Sequence, residues 1–179
     1  MVNRAVKEVI GSWIQATGTV IAAIGVTPSK LISKEMGNDL DLWGNVLQAS
    51  GNALQANGEL SLNKIANEIQ AIGNVTVFTG YLADNDSEIK DVLVINGNLL
   101  QALGGGIISV VDFERRESEE QIIIILGNVL QTIGNSIQAI GARYELKDGK
   151  EMKQKGKTFI LVGSWIQATG SVIAAIGLF

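Results

Sequence analysis

The sequence contains no cysteine, no histidine and a single proline, Pro28. The first absence excludes disulfides and thiolate metal sites. The second removes the commonest general base and the commonest metal ligand. One proline in 179 residues leaves long stretches without the residue that most strongly breaks helices. Charge is sparse, at 18% of residues against about 25% in an average soluble protein. Aromatic residues make up only 5%. The net charge of -4 argues against a general nucleic-acid binder.

Glycine is abundant and regularly placed. It recurs every seventh residue in six copies: Gly11, Gly18, Gly25; Gly44, Gly51, Gly58; Gly73, Gly80 (Ala66 in the first place); Gly97, Gly104 (Val111 in the last); Gly127, Gly134, Gly141; and Gly163, Gly170, Gly177. These are 16 of the 21 glycines. Each glycine inside a helix costs roughly 0.8–1 kcal/mol relative to alanine. Sixteen would cost on the order of 13–16 kcal/mol, the whole net stability of a typical domain. Close backbone approach between helices is the simplest offset, because a strip without side chains lets two helices come nearer than the usual 8–10 Å.

The period of seven is two helical turns, whereas a strand needs period two. A β-solenoid is the alternative reading of the fixed Asn and Gly places. The expected fold is all-α: a six-helix up-and-down array in one domain, residues 1–179, with repeat cores at about 11–25, 44–58, 66–80, 97–111, 127–141 and 163–177. Long helices are expected over 3–25, 38–58, 62–82, 87–112, 119–143 and 157–178. Thr27-Pro28 reads as the start of a short helix reaching Met36, and Ser118 with Gln121 as a capping box. Asn85 with Glu88 is a similar pair, and Tyr144 to Lys157 reads as a Lys-rich linker with an Asp148-Gly149 turn. On the helical wheel Gln15, Gln48, Gln70, Gln101, Gln131 and Gln167 lie beside the glycine strip, while Trp13, Val46, Leu99, Val129 and Trp165 close the far side. Helices apolar around most of their circumference are expected to be largely buried, with the tryptophans in the core.

The first and last copies, GSWIQATGTVIAAIG and GSWIQATGSVIAAIG, differ only at Thr19 and Ser171. Neither carries a charge, so both ends of an open array would be apolar. The end helices are therefore expected to close a ring or to associate between molecules, unless the likeness is recent duplication alone. Uncharged runs over 9–29, 92–111, 121–142 and 158–179 are long enough to span a bilayer. Against that, each run carries Gln with Asn, Ser or Thr, and the connecting charges give no orientation. The N-terminal run is not a cleavable signal peptide on this reading, since its copy recurs at the other end.

Catalytic signatures are absent. Asp84, Asp86 and Glu88 begin like a calcium loop, but Ile89 and Ile95 stand where glycine and glutamate belong. Gly104-Gly105-Gly106 lacks the strand and Lys of a phosphate loop. Asp112, Glu114, Glu117, Glu119 and Glu120 interleave with Arg115 and Arg116 as a charged turn. No cofactor, metal or small-molecule substrate is expected.

The segments WIQATGTVIAAIG, LWGNVLQASGNALQANG and NEIQAIGN together resemble a family of repetitive proteins of unknown function from spore-forming Gram-positive bacteria. The resemblance spans nearly the whole chain and implies no activity and no site residues. The sequence leads to a non-enzymatic, cytoplasmic helical repeat protein that acts by packing, as a homo-oligomer or filament. The alternative is a membrane-active helical protein that inserts conditionally or forms a pore. The residues expected to carry helix seams or self-association are Gly11, Gly18, Gly25, Gln15, Gly51, Gln48, Gly104, Gln101, Gly134, Gln131, Gly163, Gly170, Gly177 and Gln167.

Overall fold

The computed structural model describes residues 4–57, 60–83, 88–116 and 121–178, which form six α-helices with no strand among them. The helices are α1 (Arg4–Gly25), α2 (Lys34–Gln55), α3 (Leu62–Leu82), α4 (Glu88–Arg115), α5 (Gln121–Glu145) and α6 (Lys150–Ile176). The expected boundaries hold to a few residues except at two starts. Residues 28–36 do not form a separate helix: α2 begins at Lys34, where the Ser33 hydroxyl accepts from Met36 N. Thr27 opens no helix; its hydroxyl donates back to Ala23 O, closing the end of α1. The Lys-rich segment is mostly helix rather than linker, since lysine is a good helix former and no proline interrupts it. The turn lies at Gly149, at φ +100°, a conformation that favours glycine. The capping residues Ser118 and Asn85, with Asp84, Asp86, Gly58, Glu117, Glu119 and Glu120, lie outside the described residues.

Three antiparallel hairpins, α1/α2, α3/α4 and α5/α6, are each zipped along a glycine seam. Gly11 faces Gly51, Gly18 faces Gly44 and Gly25 faces Gly37. Every step of seven up one helix is met by a step of seven down its partner. The same register pairs Gly73 with Gly97, and it pairs Gly127, Gly134 and Gly141 with Gly170, Gly163 and Gly156. A Cβ added to any of these would stand 2.5–2.8 Å from the carbonyl oxygen of the opposite glycine. No side chain fits there without moving a helix. Ala66 stands opposite Gly104, so that pair carries one Cβ in place of none.

The hairpins then join into a ring. Each helix packs against its two neighbours in chain order, and α1 packs against α6. The array is therefore closed.

Candidate functional site

The ring turns its polar residues inward. Gln15, Gln48, Gln70, Gln101, Gln131 and Gln167, one from each helix, are all buried, Gln48 to 2% exposure. Two hydrogen-bonded sets cross the interior. In one, Gln55 Nε2 donates to Gln15 Oε1 (3.0 Å), Gln15 Nε2 to Gln131 Oε1 (2.9 Å) and Gln131 Nε2 to Asn128 Oδ1 (3.2 Å). Asn128 Nδ2 then reaches Asp112 Oδ2 at 3.5 Å, while Asn63 Nδ2 donates to Asp112 Oδ1 at 2.8 Å. A run of amides thus ends on a carboxylate. In the other set, Gln138 Nε2 donates to Gln167 Oε1 (2.9 Å), and Gln167 Nε2 donates to Gln48 Oε1 (2.8 Å) and Gln101 Oε1 (3.2 Å).

The two sets are related. Gln167 occupies in the last copy the place that Gln15 occupies in the first, and each bonds a repeat glutamine on a non-neighbouring helix, Gln131 and Gln48. The end helices meet at Thr19 and Ser171, whose hydroxyls are hydrogen-bonded to one another while both side chains are fully buried. The single position at which the two copies differ is thus their mutual contact. A second bond, from Trp165 Nε1 to Thr27 Oγ1 at 3.0 Å, ties the same helices further along.

Polar capacity is left over inside. Asn52, Asn74 and Asn135 are each 1% exposed; neither side-chain polar atom of Asn52 has a partner among the described residues, nor do the side-chain carbonyls of Asn74 and Asn135. At the end of the ring where α1 begins, a cavity of ≈ 90 Å³ is lined by Glu8, Ser12, Gln15, Asn63, Asp112 and Asn128 among others. Burial raises the Asp112 carboxyl above its ordinary value, with Asn63, Arg115 and Asn128 pulling it down. At the other end Asp41 is buried and accepts from Asn45 Nδ2 at 3.2 Å. Burial pushes its pKa to about 6, and Tyr81, Lys90 and Asn45 oppose the shift. Glu145 is raised there too, by burial and then by Asp91, with Lys157, Lys90 and Lys153 opposing.

The outside is the reverse of the inside. Trp13, Trp43 (61%), Leu103, Leu126, Ile72 (58%) and Ile140 are exposed. The apolar cluster of the core is small: Val77, Val94 and Ala142, with Tyr81 and Ile95 packed against it. Two expectations are therefore corrected. The helices are not buried all round, and Trp13, Trp43 and Trp165 are not core residues. The wheel separates the faces properly, but the polar face meets the other helices and the apolar face points out. Between the helix ends the outer surface carries no charge over residues 42–57, 69–83, 92–111, 121–142 and 158–178, nor from Val9 to Ser29. Among the described residues, α4, α5 and α6 are each long and apolar enough to cross a membrane.

The residues singled out by sequence fall into two places. Gly11, Gly18, Gly25, Gly51, Gly104, Gly134, Gly163 and Gly170 line the three seams within hairpins; Gly177 meets the Ile124 side chain at the end of one of them. Gln15, Gln48, Gln101, Gln131 and Gln167 gather in the interior. The sequence reading missed Gly37 and Gly156, which extend the strips of α2 and α6 by one more step of seven. It also missed Gln55 and Gln138, seven residues beyond Gln48 and Gln131 on the same faces. Among the described residues no group of three or more His, Cys, Asp or Glu comes together as a metal site.

Comparison with known proteins gives a family and nothing more specific. Residues 6–175 match the family described as a family of unknown function (DUF6944), and the chain belongs to it. No curated protein and no solved structure matches.

Proposed function

We propose that this member of DUF6944 is a non-enzymatic membrane protein: a closed helical ring whose apolar outer belt is solvated by lipid and whose amides hydrogen-bond one another inside. The observation that carries the reading is the inverted distribution of side chains. Buried Gln and Asn fill the interior while Trp, Leu, Ile and Val face outward around the ring. A water-soluble monomer rarely exposes apolar patches beyond a few hundred Å². In hydrocarbon the same surface is at no disadvantage, and buried amides must pair within the protein. The charge-free stretches over 92–111, 121–142 and 158–178 give about 30 Å of helix each, the thickness of a bilayer core. Small residues at the seams suit helix packing in lipid. Aromatic–cation pairs at the helix ends, Arg116 over Phe113 and Lys147 over Tyr144, suit the membrane–water boundary.

A second reading is self-assembly in water, with other copies covering the belt. The uneven belt favours it: on α2 and α3 the charge-free helix is only about 21 Å long, and Glu68 interrupts it early. Flotation separates the two. The full chain is expected to rise with phosphatidylcholine vesicles in a density gradient and to need detergent or lipid for solubility. A discrete oligomer in plain buffer that ignores vesicles supports assembly instead. A monodisperse monomer in plain buffer overturns both.

A further inference from the structure

A shallow, open apolar groove lies on the outer face of α6, with Leu130 of α5 on its rim. It has a volume of ≈ 370 Å³ and is lined by Leu130, Leu161, Val162, Trp165, Ile166 and Thr169. The columns that form it continue by sevens toward one end of the ring. On α5, Leu130, Ile137 and Tyr144 follow one another; on α6, Val162 and Ile166 continue to Lys155 and Phe159. From Leu130 to Tyr144 this is about 21 Å, the reach of a long fatty acyl chain.

Beyond the groove's own lining, the same columns reach a cationic aromatic cluster. The Tyr144 and Phe159 rings stack with centroids 5.5 Å apart. Lys147 Nζ lies 4.6 Å and Lys155 Nζ 5.0 Å from the centre of the same Tyr144 ring. Among the described residues no carboxylate lies within ion-pair distance of either ammonium, and both lysines are exposed. Lys153 and Lys157 act instead on Glu145, which faces Gly156. Two like charges held on one ring beside an apolar furrow are complementary to a molecule with an anionic head and an apolar tail.

We propose that this groove is a binding site for an anionic glycerophospholipid, with one acyl chain along Leu130, Val162 and Trp165 and the phosphate between Lys147 and Lys155. The inference rests on the membrane reading given above. Each lysine near an anionic headgroup contributes about fivefold in affinity, so the preference for anionic over neutral lipid is roughly 25-fold.

The test uses the full chain in vesicles, with Trp13→Phe and Trp43→Phe so that Trp165 is the only indole. Phosphatidylglycerol or phosphatidylcholine brominated on the acyl chain is titrated against unlabelled phosphatidylcholine, and quenching of Trp165 is read. Brominated phosphatidylglycerol is expected to quench at a mole fraction roughly 25-fold lower than brominated phosphatidylcholine. K147Q/K155Q should abolish that preference while K147R/K155R keeps it, with unchanged helical circular dichroism in both. Equal quenching by the two lipids, in protein that floats with vesicles, overturns the site and leaves the membrane reading standing. Protein that does not float overturns the membrane reading itself. Displacement of the brominated lipid by soluble glycerophosphate would also overturn the site, because the head alone would then account for binding.

Discussion

Two alanine substitutions, chemically identical and both in helices, should move stability in opposite directions. Gly134 sits in the middle of the α5/α6 seam, and a Cβ there would stand 2.6 Å from both Gly163 O and Gln167 N. Ordinary contact begins at 3.4 Å, so the helices must part by about 0.8 Å. A gap of that size forfeits a quarter to a half of the dispersion between facing atoms. Overpacking against unyielding backbone costs about 3 kcal/mol, and the gain in helix propensity returns about 1. The net loss for Gly134→Ala is about 2 kcal/mol. Ala66 opposite Gly104 shows that one Cβ is accommodated in the α3/α4 seam, but Gly134 is flanked by glycine pairs on both sides. Gly106 is the control. A Cβ there meets nothing closer than Thr132 Cγ2 at 3.9 Å, so Gly106→Ala should gain about 0.5–1 kcal/mol. For a chain of this size the expected shifts are about 4–8 °C down for Gly134→Ala and about 1–4 °C up for Gly106→Ala. Thermal unfolding followed by circular dichroism at 222 nm in matched detergent or buffer measures both. A Gly134→Ala midpoint equal to or above that of Gly106→Ala would refute the argument that backbone contact requires the seam glycines.

The interior amides should behave as partners rather than as separate contributors. Gln131→Leu leaves Gln15 Nε2 without its acceptor and should cost about 1–3 kcal/mol although it adds apolar volume. Adding Gln15→Leu should cost about 1 kcal/mol less than the two single losses together, which a double-mutant cycle of unfolding free energies reads directly. Asp41 should make the fold less stable as pH rises. Its folded pKa of about 6 lies above the ordinary aspartate value of 3.8, so the folded chain holds the extra proton. Stability contributed by the neutral form is complete below about 3.8 and is lost as pH climbs through about 6. Asp41→Asn should remove a cost on the order of 3 kcal/mol at pH 7 and leave the shallower slope due to Asp112 and Glu145. Unfolding midpoints of both proteins between pH 4 and 8 check this, and identical pH profiles would contradict it.

Much of the fold is legible in the glycines. Gly11, Gly18 and Gly25 face Gly51, Gly44 and Gly37 because absence of a side chain is a constraint that spacing alone reveals. Likeness between the first and last copies also points to their meeting at Thr19 and Ser171. The direction of each face is not legible in the same way. A wheel places Gln48 and Trp43 on different sides of α2, but which side meets the other helices depends on the surrounding medium. Reading the apolar side as core sends Trp13, Trp43 and Trp165 to the wrong place, because in this ring the amides and small residues meet between helices and the large apolar side chains stay exposed. The lysines from Lys147 to Lys157 mislead for a related reason. Charge reads as solvated linker, whereas all but Lys147 lie in α6, and Lys147 with Lys155 collects on Tyr144 only once α5 and α6 are side by side.

Because the seams lie inside α1/α2, α3/α4 and α5/α6, and because α1 also touches α6, the molecule has a parity. An open solenoid grows or shrinks by a single repeat. Here an odd helix would bring two parallel neighbours together at the junction and leave a strip of bare backbone with nothing opposite. Evolutionary gain or loss in such a circle is confined to whole hairpins. For the same reason a cut at any turn, with the present ends spliced, would yield a chain equivalent in its contacts to this one.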